Sequence, residues 1–566
     1  VKRIFIFTLI WLIINLLQSF FTGIIDDEAY YWVYSRFPDW GYYDHPPMIA
    51  LLIKAGYALF SNEFGVRFIN TLMGAGTIFI LLYMLRDEVA DRFWMMLLAV
   101  SLPLMHLHVA GFIATPDIPL VFFSTIFFFL YRKYLEDDSP GTVALLSVTC
   151  ALMLYSKYHA LLVIGFTVLS NLKLLQRRSF WLIVLLALIL YLPHILWQIR
   201  HDFVSFGYHL VYRSTPFRVR NILEYIGSQI LVLGPVTGMI LLYLGICSAP
   251  GDRFRAALKF NFIGFLLFFL LSSVKGHVEP HWTAAAFVPL LLYTVPLVPR
   301  SGLLQKSLQV FVYITIIIIL FIRILFILAP DLFPEKAARR FLNKKECMRQ
   351  LRQLAGERPV VFTNSYQNAS LYWFYTGTPA FSQNNKHYRM NQFDLLDMEA
   401  ELMGREVLFI PTVGFPGCDT LNTPCGEFYV HITDCFCHYN RVKVIPPDRT
   451  WRFEAGEKVQ VPLELNNPTD EPVVFREDCT HAPLLVYSFF GKKDYHRAYF
   501  DRKAKPLPDI PPHASVIYPI QVNVPDTPGE YRLMFSFGSR YLPAGINGKP
   551  VRLTVSSTSI KNSGKN

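Results

Sequence analysis

The stretch VKRIFIFTLIWLIINLLQSFFTGIIDDE, residues 1–28, sets two basic residues, an uncharged run over 4–25, and three consecutive acids, Asp26, Asp27 and Glu28, in that order. The run is long enough to cross a bilayer as one helix. Three acids inside hydrocarbon would cost roughly 2.5 to 3.5 kcal/mol each, so they belong at the membrane edge or in a water-filled cavity. An acidic site is therefore held against a lipid surface, where a lipid-linked substrate would be met.

Working outward, further charge-poor runs fall near 65–85, 93–113, 118–131, 142–156, 158–172, 179–199, 225–247, 258–274, 282–298 and 307–328. With the first they predict about eleven spans. Mean hydropathy is +0.33 although the last 230 or so residues are polar and Pro-rich, so the 566-residue chain has two different halves. Basic residues, among them Lys2, Arg3, Arg86, Arg132, Lys173, Arg253 and Arg300, fall on alternate loops, which assigns those loops to the cytoplasm. An odd span count then places the acidic loop, the segments around Asp117, Lys157, Arg200 and Glu279, and everything after 330 outside. The first run has a signal-like charge pattern but no small-residue cleavage site after it, and reads as an uncleaved anchor.

The net charge of +11 is taken up largely by short cytoplasmic loops, which argues against nucleic acid as a partner. Six of the eight cysteines, Cys347, Cys418, Cys425, Cys435, Cys437 and Cys479, lie in the exported part and read as disulfide formers. Cys418 with Cys425 is the easiest local pair, although six cysteines allow 15 connectivities. A zinc site from Cys418, Cys425, Cys435, Cys437 and His438 is the competing idea, without the usual paired Cys-x-x-Cys spacing.

Three domains are expected: 1–330 in the membrane, 331–440 as a small α/β unit with strand-like runs at 359–363 and 407–410, and 441–566 as an immunoglobulin-like β-sandwich with a polar tail. Alternating runs at 458–465, 516–524 and 531–537, separated by Asn-Pro, Asp-Thr-Pro-Gly and Pro-Pro turns, carry the last assignment.

The membrane half carries five different motifs in order: Asp27-Glu28-Ala29-Tyr30-Tyr31-Trp32, Gly41-Tyr42-Tyr43-Asp44-His45-Pro46-Pro47, Thr115-Pro116-Asp117-Ile118-Pro119, Ser156-Lys157-Tyr158 and Val278-Glu279-Pro280-His281-Trp282. In order and spacing this resembles the bacterial family 39 glycosyltransferases, relatives of the protein O-mannosyltransferases and of the lipid A aminoarabinose transferase in the GT-C superfamily. The segment 197–213 and the run Arg389-Met390-Asn391-Gln392-Phe393-Asp394 extend the resemblance to about residue 410. The fold it implies is a polytopic α-helical membrane protein of GT-C type followed by the α/β unit and the sandwich.

The resemblance implies inverting transfer of a sugar from a polyprenyl-phosphate-linked donor, on the periplasmic side of a bacterial inner membrane, to a hydroxyl or phosphate of lipid A, a protein Ser or Thr, or a surface glycan. The residues fit that chemistry by themselves. An acceptor hydroxyl needs a carboxylate, and Asp27 is the candidate base with Glu28 in support. Negative charge grows on the departing phosphate, and Lys157 is the first candidate to meet it, with Arg67 and Arg200 behind it. Asp117 is a further candidate catalytic residue, expected to contact the substrate, although it could simply cap a span. Tyr43, Asp44 and His45 are expected to contact the donor or order their loop. Glu279, His281 and Trp282 are expected against sugar or phosphate, the indole by stacking.

No cofactor is assigned; a divalent metal is left open, since His277, Glu279 and His281 lie within five residues. Arg323, deep in the last run, is given no role. The β-sandwich is the clearest departure from the family and leaves the acceptor undecided. A transporter or flippase of lipid-linked sugars is the alternative, but the chain has no internal repeat and its notable polar residues cluster on one side.

Overall fold

The computed structural model describes residues 1–89, 91–209, 217–329, 332–333, 343–476, 483–491, 496–500, 506–538, 542 and 544–557. Parts of the 197–213 segment and Cys479 lie outside these residues. The chain divides into two compact units, Val1–Lys344 and Lys345–Asn566.

Unit 1 is helical: α1 (Lys2–Phe21), α2 (Asp26–Arg36), α3 (Met48–Leu59), α4 (Glu63–Met84), α5 (Arg86–Val89), α6 (Phe93–Val100), α7 (Asp117–Glu136), α8 (Pro140–Ser156), α9 (Ala160–Ser170), α10 (Arg178–Arg200), α11 (Val204–Gly207), α12 (Val219–Leu233), α13 (Thr237–Cys247), α14 (Arg253–Ser273), α15 (Phe287–Thr294) and α16 (Leu303–Leu328). Six of these, α1, α4, α7, α10, α14 and α16, are long and apolar enough to cross a membrane, or seven if α12 and α13, bent by 104°, form one span. That is fewer than the eleven apolar runs, for local reasons. The run at 93–113 stops being α-helical at Val100, because Pro103 opens a 3-10 turn over Pro103–His106. The run at 282–298 divides into two 3-10 segments around the eight-residue α15, with Pro296 in the second. Between α8 and α9 the backbone is extended at Lys157 (φ −161°, ψ 145°), so two apolar runs meet at a charged break.

Side chains such as Leu303, Ile317, Phe321 and Leu328 of α16 point outward, as lipid-facing positions do. Arg323 on the same helix points inward: its Nε donates to Gln18 Oε1 at 3.2 Å and its Nη2 to Asn15 Oδ1 at 3.1 Å, both on α1. A buried polar seam thus runs along α1 inside an otherwise apolar bundle.

Unit 2 combines two helices, α17 (Lys344–Ala355, which begins at the last residue of unit 1) and α18 (Tyr366–Thr376), with thirteen strands among the described residues. β1 (Val360–Thr363), β2 (Ala380–Gln383), β3 (Val407–Ile410), β4 (Asp419–Thr423) and β5 (Gly426–Thr433) form a mixed sheet in the order β2-β1-β3-β5-β4. β1 is parallel to both neighbours, joined to β2 through α18, and all four of its residues are buried. The remaining strands are β6 (Lys443–Ile445), β7 (Thr450–Glu454), β8 (Lys458–Asn466), β9 (Leu484–Phe490), β10 (His496–Phe500), β11 (Ser515–Asn523), β12 (Gly529–Gly538) and β13 (Val551–Ser556). They make a five-stranded sheet, β10-β9-β12-β13-β7, and a three-stranded one, β11-β8-β6. Alternate residues of β11 (Tyr518, Ile520, Val522) and β12 (Tyr531, Leu533, Phe535) are buried in one core with Trp451 and Tyr487.

Cys347 is bonded to Cys425, 78 residues away, and Cys418 is free. This corrects the local Cys418–Cys425 pair: Cys425 sits in the β4–β5 turn, and the sheet carries that turn to the start of unit 2 rather than to its sequence neighbour.

Candidate active site

The acidic stretch is helical, and α2 is the frame of the site. Glu28, in the first turn of α2, is wholly buried. Its Oε1 accepts from Arg67 Nε at 2.7 Å and from the backbone N of Ala114 at 2.8 Å; its Oε2 accepts from Arg67 Nη2 at 2.5 Å and from the backbone N of Ile25 at 3.0 Å. Arg67, equally buried, also donates to the carbonyls of Thr22 (2.6 Å) and Gly23 (2.8 Å) and lies over the Phe112 ring at 5.3 Å. The two-pronged charge pair therefore closes the end of α1, the start of α2, α4 and the loop at 110–116 around one point. Asp27, half-buried in the same turn, adjoins Glu28, which holds Ala114 of the loop that leads within three residues to Asp117.

Asp117 opens α7, and Lys157 sits at the break between α8 and α9. Both are buried, and Lys157 Nζ donates to Asp117 Oδ1 at 2.7 Å. Among the described residues Asp117 Oδ2 has no hydrogen bond, and His281 Nε2 stands 3.7 Å from it. His281 stacks on His108, rings 4.5 Å apart. His159 packs edge-on against Trp282, centroids 5.9 Å apart. Asp117, Lys157, His281 and Trp282, far apart in sequence, so form one cluster on an apolar bundle.

The third part is the loop at 37–47. Tyr34 of α2 donates to Asp44 Oδ1 and stacks on Tyr42 at 4.3 Å. His209 Nε2 lies 2.9 Å from the carbonyl of Asp44, and Tyr43 packs on Tyr208 at 5.4 Å. His45 Nε2 lies 3.3 Å from Tyr31 Oη. Burial is the main cause that pushes the His45 pKa down to about 4, opposed by Asp44 and aided by Lys157 and His209, so the ring is neutral at pH 7. The end of α10 clamps the same loop: Trp197 Nε1 donates to Asp39 Oδ2 at 2.7 Å, and Gln198 Nε2 donates at 2.8 Å to Ser205 Oγ, which donates to the Tyr42 carbonyl at 3.0 Å. Gly41 is required there, because a Cβ would lie 2.5 Å from the Trp197 ring.

Among the residues expected at the site, Asp27, Glu28, Tyr43, Asp44, His45, Asp117, Lys157, His281 and Trp282 fall on these three connected parts. Arg67 is there too, but its donors are committed to Glu28 and backbone carbonyls rather than open to a ligand. Arg200, the last residue of α10, is exposed. Glu279 turns to His277, 3.6 Å away, while His281 turns to Asp117, so the three possible ligands of that loop diverge. Among the described residues no three His, Cys, Asp or Glu side chains are grouped to hold a metal. His108 and His159 were not picked out from sequence. His108 hid inside an apolar run, whereas His159 follows Ser156-Lys157-Tyr158 directly and could have been found there. A recess of about 650 Å³ lined by Glu88, Arg132 and Arg253 belongs to the loops at the opposite, basic ends of these helices.

Residues 44–197, from Asp44 through Asp117 and Lys157 to Trp197, match the family described as dolichyl-phosphate-mannose-protein mannosyltransferase. The lipid A galacturonosyltransferase RgtD of Rhizobium johnstonii is 25% identical over 281 residues, which are 47% of this chain and 59% of that protein. The chain thus spans under two thirds of the length of this curated relative. Crystal structures of ArnT from Cupriavidus metallidurans, in the apo state and bound to undecaprenyl phosphate, superpose with a TM-score of 0.55 at 13% identity, covering 76% of this chain and 97% and 98% of theirs. At that identity the likeness establishes the fold. Ordered motifs, the matched segment 44–197 and the ArnT-like fold agree in likening the membrane half of the chain to the dolichyl-phosphate-mannose-protein mannosyltransferase family.

Proposed function

We propose that the chain transfers a sugar from a polyprenyl-phosphate-linked donor to a hydroxyl or phosphate of lipid A, of a protein or of a surface glycan, with inversion at the anomeric carbon. The observation that carries this reading is the buried Asp117–Lys157 pair, tied through the Glu28–Ala114 hydrogen bond to the turn bearing Asp27. The acceptor oxygen attacks C1 from the face opposite the phosphate, and Asp27 takes its proton. The C1–O bond to phosphate breaks, and Lys157 meets the charge left on the lipid phosphate. One of its three N–H bonds is used by Asp117; the others are available for phosphate oxygens. Asp117 Oδ2 and His281 are set to hold sugar hydroxyls, with Trp282 as an apolar face. Glu28 and Arg67 act as positioning residues.

The lipid substrate calls for a site at the membrane surface, and the basic loops at the other helix ends support a periplasmic orientation for the acidic turn, with unit 2 on the same side of the inner membrane. An odd number of crossings, about eleven when each apolar run is counted as one, would carry unit 2 to that side. The relative named for lipid A supports that acceptor. Mass spectrometry of lipid A, periplasmic glycoproteins and polyprenyl-phosphate sugars from cells with the intact gene, a deletion or Asp27→Asn tests the reading. Loss of one sugar from one acceptor in both altered strains, with its lipid-linked donor accumulating, is expected. Altered glycans in the deletion but not in Asp27→Asn would favour transport over transfer.

A further inference from the structure

Unit 2 holds a cavity of about 550 Å³, within the size range of small-molecule sites. It lies where an open parallel sheet places ligands. β1 leads through α18 to β2 on one side, and the chain then crosses to β3 on the other, so the carboxyl ends of β1 and β3 flank a topological switch point. Thr363 and Asn364 from the end of β1 and Phe409 and Thr412 from the end of β3 line the cavity. Strands β9 and β10 of the sandwich close its far wall, Tyr499 among them. Thr412 Oγ1 ties the two strand ends by donating to the Thr363 carbonyl at 2.6 Å.

Its lining is chemically selective. Thr363 is 4% exposed, and its Oγ1 has no hydrogen-bond partner among the described residues. A buried hydroxyl in this position can donate to or accept from a ligand atom in the cavity. Asn364 is held at φ 53°, with its Oδ1 committed to the backbone N of Asn385 at 3.0 Å, which leaves its amide N–H groups to donate. Among the described residues Lys386 is the one charged side chain of the wall and has no carboxylate partner; its Nζ donates to Ser488 Oγ at 2.6 Å. Burial pulls its pKa down to about 8, which an anion would reverse. The rings of Phe415 and Tyr499 supply apolar faces.

We propose that this crevice binds an acidic sugar unit, a monosaccharide or glycan end bearing a carboxylate or a phosphate. The anion pairs with Lys386, ring hydroxyls meet Thr363 and the Asn364 amide, and the sugar's C–H face lies on an aromatic ring. The site goes beyond the transfer chemistry and stands whether or not unit 1 transfers a sugar.

Calorimetry on the full-length protein with D-glucuronic acid, D-glucose 1-phosphate and D-glucose tests it. At least one acidic probe should bind about tenfold more tightly than glucose, and which one does so separates the carboxylate from the phosphate source. Lys386→Met should weaken that probe by about tenfold or more, Thr363→Val should weaken it less, and Lys157→Ala should leave it unchanged. The inference is overturned if neither acidic probe outbinds glucose, or if Lys386→Met and Thr363→Val, with wild-type unfolding temperatures, bind as the parent does. Loss of binding in Lys157→Ala also overturns it, by assigning the probe to unit 1.

Discussion

Arg67→Met separates the two roles that this cation could have. If Arg67 served a lipid phosphate, its loss would lower activity and leave the fold intact. The geometry demands the opposite order. Removing the guanidinium leaves the Glu28 carboxylate buried with two backbone N–H donors, Ile25 and Ala114, and strips the carbonyls of Thr22 and Gly23 of their partners. Breaking one side of a buried charge pair costs about 3 to 5 kcal/mol. Glu28→Gln should cost a comparable amount by leaving Arg67 unpaired. The double substitution Glu28→Gln/Arg67→Met leaves neither charge alone, so it should destabilise by less than the two single losses summed, with a coupling of about 1 to 3 kcal/mol. Denaturant or thermal unfolding of the detergent-solubilised chain, followed by tryptophan fluorescence, reads all three. An Arg67→Met protein that unfolds like the parent and yet transfers no sugar would refute the reasoning and return Arg67 to the substrate.

Three further outcomes are expected. Lys157→Ala should lower transfer by about 100- to 1,000-fold, the range for removing one preorganised stabiliser of developing charge, measured as turnover with a polyprenyl-phosphate sugar. In unit 2, burial raises the Asp394 carboxyl to about 7, against hydrogen bonds from Asn391 N and Asn384 Nδ2 that act the other way. The unfolded chain gives up that proton near pH 4. Its contribution to stability is therefore full below about pH 4, falls as pH rises from about 4 to about 7, and is constant above; Asp394→Asn should flatten this slope in pH-dependent unfolding. Peptide mapping without reductant should recover Cys347 joined to Cys425 and Cys418 alkylated, and reduction should cost unit 2 about 2 to 4 kcal/mol.

Much of this molecule could be read from its residues, and what could not has identifiable causes. The apolar runs and the acids after the first of them announce a helical membrane half, since both follow from transfer energies alone. Strands at 359–363 and 407–410 and the alternation of 516–524 were legible because burial imposes a continuous or two-residue period. The β4–β5 hairpin was not, because β4 is polar and exposed and carries no such period. Run lengths overstated the long helices, although Pro103 and the charged Lys157 were visible breaks. Glu28 read as the catalytic support of Asp27. Its partner Arg67 lies 39 residues on, and only the crossing of α1, α2 and α4 reveals a brace. The Asp117–Lys157 pair, 40 residues apart, was anticipated as two separate residues and not as a contact. The Cys347–Cys425 bond has the same character, since a long-range pairing leaves no local trace.

The central claim is that Asp27 takes the acceptor proton in a site framed by Glu28, Asp117 and Lys157. Turnover by purified parent and Asp27→Asn, with a polyprenyl-phosphate-linked sugar and a lipid A acceptor, tests it most directly. Asp27 is half-buried at the first turn of α2, so the substitution should leave the unfolding temperature unchanged while lowering turnover by about 100- to 10,000-fold. Parent-like turnover by a folded Asp27→Asn protein would contradict the account.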